Sequence, residues 1–249
     1  MIETLATPRR IRPRWRRWLA RLAAPVLTLA VLAAGTVGAL WPLTPSVGGA
    51  PARVTAALNA QGARQLAALP VPDRVGQAVI ATENSRFSKD FGLDPISLLR
   101  TVTGYFTGSR DTGAATLEVQ LAKNLYTPGR PGVAAKAEQV ELAFKLDAAY
   151  TKDEILRMYL AAVYHGHGFY GLPDAARGYF GVRPDQLSWG QASMLAGLVQ
   201  APSAYDPYAH LDLARLRQRH VVDRLVATGV LTPAQGDAAF AERLSLESG

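Results

Sequence analysis

Apolar residues recur at helical spacing along most of this chain. Leu117, Leu121 and Leu125 follow one another at intervals of four and therefore lie on one face of a helix. Residues 133–150 have the pattern of a longer helix. No stretch alternates apolar and polar residues over the length of a strand, and no segment repeats. The pattern predicts a mostly α fold.

Several of the predicted helices begin at residues that commonly cap a helix. A Ser or Thr followed three residues later by Glu or Gln is a capping box, and it recurs at residues 151–154, 188–191 and 232–235. Asp94-Pro95 matches the N-cap and first residue of a further helix, which we expect to reach Phe106. These positions divide the chain into helices joined by polar loops.

The N-terminal region contains a long uncharged segment. Residues 22–41 hold 20 residues without a charge. A helix of that length spans roughly 30 Å, the thickness of the hydrocarbon core of a bilayer. Trp18 and Trp41 stand at its two ends, where indole rings prefer the interface with water. The pattern predicts one transmembrane helix, and the alternative is a cleaved signal peptide with small residues at 33–38.

The net charge of +7 is concentrated ahead of that segment. Residues 1–21 contain seven arginines and Glu3, for +6, so the other 228 residues contribute only +1. Arginines before the apolar segment and none just after it predict a cytoplasmic N-terminus and an extracytoplasmic remainder. A basic tail without a basic folded surface argues against nucleic acid as a partner.

Composition predicts four parts. Residues 1–21 form a basic cytoplasmic tail, 22–41 the transmembrane helix, 42–69 a linker with the first helical segment, and 70–249 the folded domain. The linker begins with a stretch rich in Pro and Gly, residues 41–51. The chain has no cysteine, which excludes disulfides, thiolate metal sites and a cysteine nucleophile.

Glu83 is the first catalytic candidate in the chain. It follows the apolar residues 78–80, at the point where a helix gives way to a polar turn that contains Phe87 and Phe91. A carboxylate that is partly removed from water at such a place can act as a general base. The alternative is a solvated residue at the end of a surface helix.

A polar helix face is the second candidate. Four residues three or four positions apart share it: Thr116, Gln120, Lys123 and Asn124. Such a face can hold sugar hydroxyls or phosphate oxygens, and the alternative is the ordinary outer face of an amphipathic helix. The charges around Lys136 have the same alternative, a solvated surface. His165 and His167 are weak evidence for a metal because no carboxylate stands nearby.

Taken in order, these stretches resemble the peptidoglycan glycosyltransferases, glycosyltransferase family 51. The family motif Glu-Asp-x-x-Phe-x-x-His-x-Gly corresponds to residues 83–92, and Gly-Gly-Ser-Thr-Ile-Thr-Gln-Gln-Leu-x-Lys-Asn corresponds to residues 113–124. The segment Ser-Lys-Asp-Glu-Ile-Leu-x-x-Tyr-Leu-Asn corresponds to residues 151–161. The resemblance covers about residues 70–245. Shorter matches are Tyr179-Phe180-Gly181, residues 195–202, Arg217 and Val221.

The resemblance implies a lysozyme-like, two-lobed fold with a groove. It implies a reaction in which the hydroxyl of one lipid-linked disaccharide-pentapeptide attacks the anomeric carbon of another chain and displaces a lipid pyrophosphate. Glu83 matches the general base, and Lys123 and Lys136 match positions that hold the phosphates. The positions that shape the groove are matched by Thr116, Gln120 and Asn124. The implied partners are the lipid-linked precursor, the growing glycan strand, the bacterial plasma membrane and other cell-wall enzymes.

The chain departs from the family pattern at several motif positions. In the third motif, Arg-Lys-x-x-Glu, the Arg is Ala135 and the second essential carboxylate is Gln139, which cannot ionise. Glu138 lies one residue earlier, about 100° around the helix, so it does not simply substitute. The first motif has Asn84 for Asp and Asp90 for His. The changes in the second motif include Ala114, Glu118 and Val119.

Three functions are therefore open from the sequence. The first is an anchored peptidoglycan glycosyltransferase that uses Glu83 with altered or reduced activity. The second is a catalytically silent relative that binds precursor or glycan, or acts as a scaffold for wall enzymes. The third is a lytic, glycan-cleaving enzyme of the same fold, for which Glu83 would be the acid. The sequence leaves open whether a divalent cation assists at the pyrophosphate.

The predicted anchor can be tested on the protein produced in bacterial cells. We expect it to sediment with membranes and to need detergent for release, because residues 22–41 are uncharged along their whole length. N-terminal sequencing of the mature chain is the matching measurement. A mature chain that begins near Ala39 and is released by salt alone would identify a signal peptide instead.

Overall fold

The computed structural model describes most of the chain beyond its N-terminal segment. The described residues are Gly35, Gly38 and the ranges 41–64, 73–96 and 115–247. The predicted tail and nearly all of the predicted transmembrane segment lie outside them. Within the described residues, no helix combines the length and apolar character that crossing a bilayer requires.

The chain divides into two units, residues 1–44 and residues 45–249. The described part of the first contains a 3-10 helix at Trp41–Leu43. The described part of the second is helical, apart from a short 3-10 helix at Pro184–Gln186 and an isolated β-bridge between Tyr164 and Tyr170. The prediction of a mostly α fold is confirmed for these residues. The described α-helices of the second unit are α1 (Ala50–Ala60), α2 (Asp73–Glu83), α3 (Leu117–Tyr126), α4 (Val133–Ala149), α5 (Lys152–Ala162), α6 (Leu172–Phe180), α7 (Trp189–Leu198), α8 (Leu211–Ala227) and α9 (Pro233–Ala241).

Helix α7 is the most fully buried of the described helices. Eight of its ten residues are inaccessible, as expected for a helix that is apolar on every side. It packs against α2, α8 and α9, so the helix that ends at Glu83 rests on it directly. Gly197 faces α8, where a Cβ atom would come within 3.1 Å of the Arg217 side chain. The missing side chain at Gly197 lets α8 approach closely.

Helix α3 organises a second group of contacts, with α1, α4 and α5. Leu117, Leu121 and Leu125 are 0%, 0% and 8% exposed, which confirms the predicted apolar stripe. One contiguous set of buried side chains includes residues of both groups. The two groups therefore share a core.

The three predicted capping boxes are present. At Thr151, Ser188 and Thr232 the side-chain oxygen accepts from the backbone three residues later, and the Glu or Gln there accepts from the capping residue. Each cap satisfies two backbone N–H groups that have no partner within the helix. This result explains why local sequence alone located these helix starts.

The start of α1 differs from the sequence-based expectation. The predicted linker at 41–51 already contains the start of α1, because Pro51 is tolerated in the first turn of a helix. Helix α1 ends at Ala60, before Gly62 in a left-handed conformation. The helix after Asp94 does begin there, since the Asp94 carboxylate accepts from the Ile96 N–H at 3.0 Å. Its further course to Phe106 lies outside the described residues.

The turn after Glu83 is held in place at its glycine, Gly92. Gly92 has a φ of +89°, and a Cβ atom built there would lie 2.8 Å from the Ala143 carbonyl oxygen of α4. The Gly92 carbonyl accepts a hydrogen bond of 2.7 Å from the Thr116 hydroxyl, at the start of α3. The turn is thereby held between α3 and α4, and only glycine meets both demands at position 92.

We expect Gly92→Ala to destabilise the protein by about 2–4 kcal/mol, because it adds a steric collision to an unfavourable backbone conformation. The measurement is thermal or urea unfolding of the full chain in detergent. Gly129→Ala is the matched control, since Gly129 also has a positive φ, +70°, but has open space around it. It should cost about 1 kcal/mol. Equal losses for both variants would contradict the close packing at Gly92.

Candidate active site

Glu83 is the last residue of α2, and its side chain is only 13% exposed. One carboxylate oxygen accepts from the Arg217 guanidinium of α8 at 3.1 Å. The Arg217 side chain is 12% exposed. The pair is largely shielded from water, so each charge depends on the other. Glu83 is therefore a held, nearly buried carboxylate and not the solvated helix end of the alternative interpretation.

Gln120 orients the other oxygen of the same carboxylate. Its amide donates to Glu83 at 3.2 Å and to the Ala115 carbonyl at 3.2 Å, while its carbonyl accepts from the Tyr159 hydroxyl at 2.9 Å. The Tyr159 ring is fully buried. Burial, and after it the charge of Glu83, raises the pKa of Tyr159 well above its ordinary value. Tyr159 is thus a hydrogen-bond donor that selects the orientation of the Gln120 amide.

The remaining members of the predicted polar face are not equivalent. Lys123 is exposed and Asn124 is half-buried. Thr116 differs from the expectation of a shared outer face: it is 2% exposed and forms the N-cap of α3. Its hydroxyl bonds to Gly92 and to the Val119 N–H, so it connects the two segments and does not present its oxygen to solvent.

Lys123 and Lys136 are two exposed cations that have no ion pair among the described residues. Lys123 lies in the last turn of α3 and Lys136 in the first turn of α4, and both are exposed. Among the described residues, neither ammonium lies within 4.0 Å of a carboxylate. An exposed cation without an internal partner is available to an anionic ligand.

The position of the second carboxylate holds Gln139, which is 4% exposed. Its amide donates to the Thr127 hydroxyl at 2.8 Å. Glu138 forms an ion pair of 2.8 Å with Arg130 and so does not take the place of the missing acid. Ala135, where the family motif has Arg, is buried against the core. Position 139 is therefore held by a buried, hydrogen-bonded amide.

Four charged residues meet beside the turn that follows Glu83. The Lys152 ammonium lies 2.6 Å from Asp90, 2.6 Å from Glu118 and 2.7 Å from Asp147. These carboxylates are the one group of acids within the described residues with metal-ligand spacing, and the ammonium contacts all three. Burial raises the pKa of Glu118. Burial alone would lower the pKa of Lys152, but the bonds from Asp147, Asp90 and Glu118 outweigh it and raise the pKa.

Comparisons with known proteins show which family this chain matches. The family model described as transglycosylase matches residues 52–226. A Cupriavidus necator protein named as a transglycosylase is 38% identical over 176 residues, which are 71% of this chain and 76% of that protein.

This chain belongs to the transglycosylase family.

Longer proteins contain the same region. Penicillin-binding protein 1A of Escherichia coli is 36% identical over 176 residues, 70% of this chain and 21% of that protein. The chain therefore spans about a fifth of the length of that relative. A crystal structure of penicillin-binding protein 1A from Haemophilus influenzae matches with a TM-score of 0.42 and 19% identity, over 75% of this chain and 18% of that one. That score is too low to support a statement about this transglycosylase.

The two histidines of the glycine-rich loop have separate surroundings. Burial lowers the pKa of His165 to about 4, so the ring is neutral in this transglycosylase at neutral pH. His167 is exposed, its Nδ1 lies 3.2 Å from an Asp206 carboxylate oxygen, and its ring contacts the Tyr208 ring at a tilt of 55°. A buried ring and an exposed ring two residues apart do not form a joint ligand set.

Sequence reasoning missed the roles of three site residues. Arg217 and the segment that contains Lys152 and Tyr159 had been matched to the family, but nothing in the spacing placed them beside Glu83 or its turn. Arg217 lies 134 residues from Glu83 in the chain, and Tyr159 lies 39 residues from Gln120. The family match was the one available indication of their importance.

Replacing either free lysine should weaken the binding of a pyrophosphate-containing substrate without unfolding the protein. We expect Lys123→Gln and Lys136→Gln to lower kcat/KM at least about tenfold, because one cation at the leaving group is lost. Arg243→Gln removes an exposed cation near the C-terminus and is the control. Rates and melting temperatures are measured together. Unchanged rates in both lysine variants would contradict a phosphate-binding role.

Proposed function

We propose that this protein is a peptidoglycan glycosyltransferase that joins lipid-linked disaccharide-peptide units into glycan strands. Membership of the transglycosylase family supports the reaction class. The observation that carries the proposal is the Glu83 carboxylate, which is nearly buried and held by Arg217 and Gln120 at the end of α2.

The reaction needs a base at the attacking hydroxyl and cations at the leaving group. Glu83 accepts the proton as the hydroxyl oxygen forms its bond to the anomeric carbon. The bond from that carbon to the pyrophosphate breaks, and the pyrophosphate leaves with the electron pair. Lys123 and Lys136 stabilise the negative charge that it retains.

We further propose that the rate is lower than the family pattern would permit. Gln139 occupies the position of the second carboxylate and cannot ionise, and the position of the motif arginine holds Ala135. Loss of one preorganised charge in a transition state typically costs about 10²–10³ in rate. Glu83, Lys123 and Lys136 would then supply the remaining catalysis.

The N-terminal segment supports a membrane location. We propose a single-pass protein of the bacterial plasma membrane, with its basic tail in the cytoplasm and residues 70–249 outside. An anchor of this kind would keep the domain at the surface where lipid-linked precursors are found. Because the chain spans about a fifth of penicillin-binding protein 1A, only the transglycosylase part of that relative bears on this proposal.

One observation favours a second candidate, a catalytically silent relative that binds precursor or glycan. The Gln139 amide is buried and bonded to Thr127, and Glu138 is engaged by Arg130. A binding protein needs the cations and the groove but not the second acid. The two candidates therefore differ in turnover and not in affinity.

Glu83→Gln separates them. We expect the full chain to polymerise lipid-linked precursor in detergent or vesicles, and Glu83→Gln to reduce the rate at least about 100-fold, because an amide cannot accept the proton. Asp237→Asn makes the same chemical change on the exposed surface and should leave the rate unaltered. Polymer length and amount are measured by gel separation of labelled glycan.

The other outcomes identify the alternatives. A chain that binds precursor but makes no polymer, with or without Glu83→Gln, is the silent relative. Gln139→Glu then tests whether the missing acid alone is responsible, because the Thr127 hydroxyl could donate to a carboxylate at that position. Release of fragments from isolated cell wall without any lipid substrate would identify a lytic enzyme instead.

A further inference from the structure

Three of the departures from the family motifs occur at one place in the structure. Asn84 replaces the motif Asp, Asp90 replaces the motif His, and Glu118 replaces a small polar residue. All three lie around Lys152, which matches the family pattern. Unrelated losses of function would not be expected to gather around one unchanged cation.

The contacts at this place are close and shielded. The Asn84 amide donates to one oxygen of Asp90 at 2.7 Å, and the other oxygen accepts from Lys152 at 2.6 Å. Asp90 is 1% and Glu118 0% exposed at the side chain, and Asn84 is 6% exposed overall. The Lys152 ammonium also lies 4.8 Å from the centre of the Phe87 ring. Buried charges of this kind persist only where they are paired.

The departures at positions 84 and 90 compensate one another in charge and hydrogen bonding. The family pattern has an acid at the first position and a base at the second, whereas this chain has an amide and an acid. A donor and an acceptor still face each other, with the donor now on residue 84. The carboxylate moved to position 90 has Lys152 as its counter-ion, which also serves Glu118 and Asp147.

This set of contacts joins the elements that hold the catalytic carboxylate. Asn84 directly follows Glu83, and its N–H continues α2 by bonding to the Ile80 carbonyl at 3.1 Å. Glu118 lies on α3 two residues before Gln120, and Lys152 begins α5, which also contains Tyr159. A shift of any member would move the end of α2 relative to Gln120, which orients the Glu83 carboxylate, and Tyr159, which orients Gln120.

We propose that Asn84, Asp90, Glu118 and Lys152 form one compensated support that positions Glu83, built from three residues in which this chain departs from its family and from one, Lys152, that matches it. The proposal rests on the proposed function, since it gives the support a role in turnover. The proposed reaction places none of the four at the reacting atoms, so they are positioning residues. The first and second motifs of this chain are therefore remodelled and not degraded.

Asn84→Asp is the most direct test. It places a second carboxylate against Asp90 without changing the size of the side chain, and one ammonium must then balance four acids. We expect kcat to fall at least about tenfold while KM changes less than about threefold, because the substrate-binding lysines are elsewhere. A KM effect with unchanged kcat would overturn the positioning role.

The exchange variant Asn84→Asp/Asp90→Asn is the matched control. It restores one amide and one acid to the pair and leaves the total charge of the cluster unchanged. We expect it to recover kcat to within about threefold of the native protein, a non-additive result that contacting residues give. If the exchange variant is no better than Asn84→Asp alone, or if Asn84→Asp has native kcat, the proposal is wrong.

Thermal unfolding of the same variants separates this proposal from the proposed function. Asn84→Asp should lower the melting temperature by about 3–6 °C, and the exchange should recover most of that loss. This comparison needs no turnover. A second result is that the native chain makes no polymer while the variants still follow this order of melting temperatures. That result would overturn the proposed function and the positioning role, and the four residues would then form a network that only stabilises the fold. Equal melting temperatures in all variants would overturn the network itself.

Discussion

The ion pair between Glu83 and Arg217 is the interaction on which the site depends. A carboxylate that is only 13% exposed is stable when a charged donor is held beside it, and Arg217 is held there by α8. Helix α8 can bring Arg217 close because Gly197 of α7 has no side chain in the way. The central apolar helix thus determines where the catalytic candidate finds its partner. The close packing of α7 against α8 therefore also fixes the position of the positive charge beside Glu83.

The surroundings of Glu83 and of Gln139 differ in charge and in hydrogen bonding. Around Glu83, the bonds from Arg217 and Gln120 are complete and Tyr159 supports them from the core. Around Gln139, a neutral amide bonded to Thr127 occupies the position of an acid. Under the proposed function, a held carboxylate at Glu83 and a neutral residue at position 139 predict slow turnover. The structure keeps a held carboxylate at Glu83 and has no ionisable side chain at position 139.

The turn after Glu83 explains how several motif positions could change while the base stayed in place. Gly92 packs one end of the turn against α4 and accepts a hydrogen bond from the Thr116 hydroxyl. Asp90, two residues earlier in the turn, pairs with the Lys152 ammonium. The Lys152 ammonium contacts three carboxylates. A change of charge at one position around it can therefore be offset by a change at another. The Asp to Asn and His to Asp changes are understandable only as a pair.

The resemblance to the family motifs identified Glu83 as the candidate base, and local patterns in the sequence by itself determined the helices and their caps. These features depend on spacing within a few residues, so Thr151, Ser188 and Thr232 were located by pattern alone. Tertiary structure decided which side chains meet. Arg217 reaches Glu83 across 134 residues, and Thr116 turned inward as a cap although its spacing placed it on a polar face. Contacts between distant segments follow from how helices pack, and the period of a single helix contains no information about its neighbour.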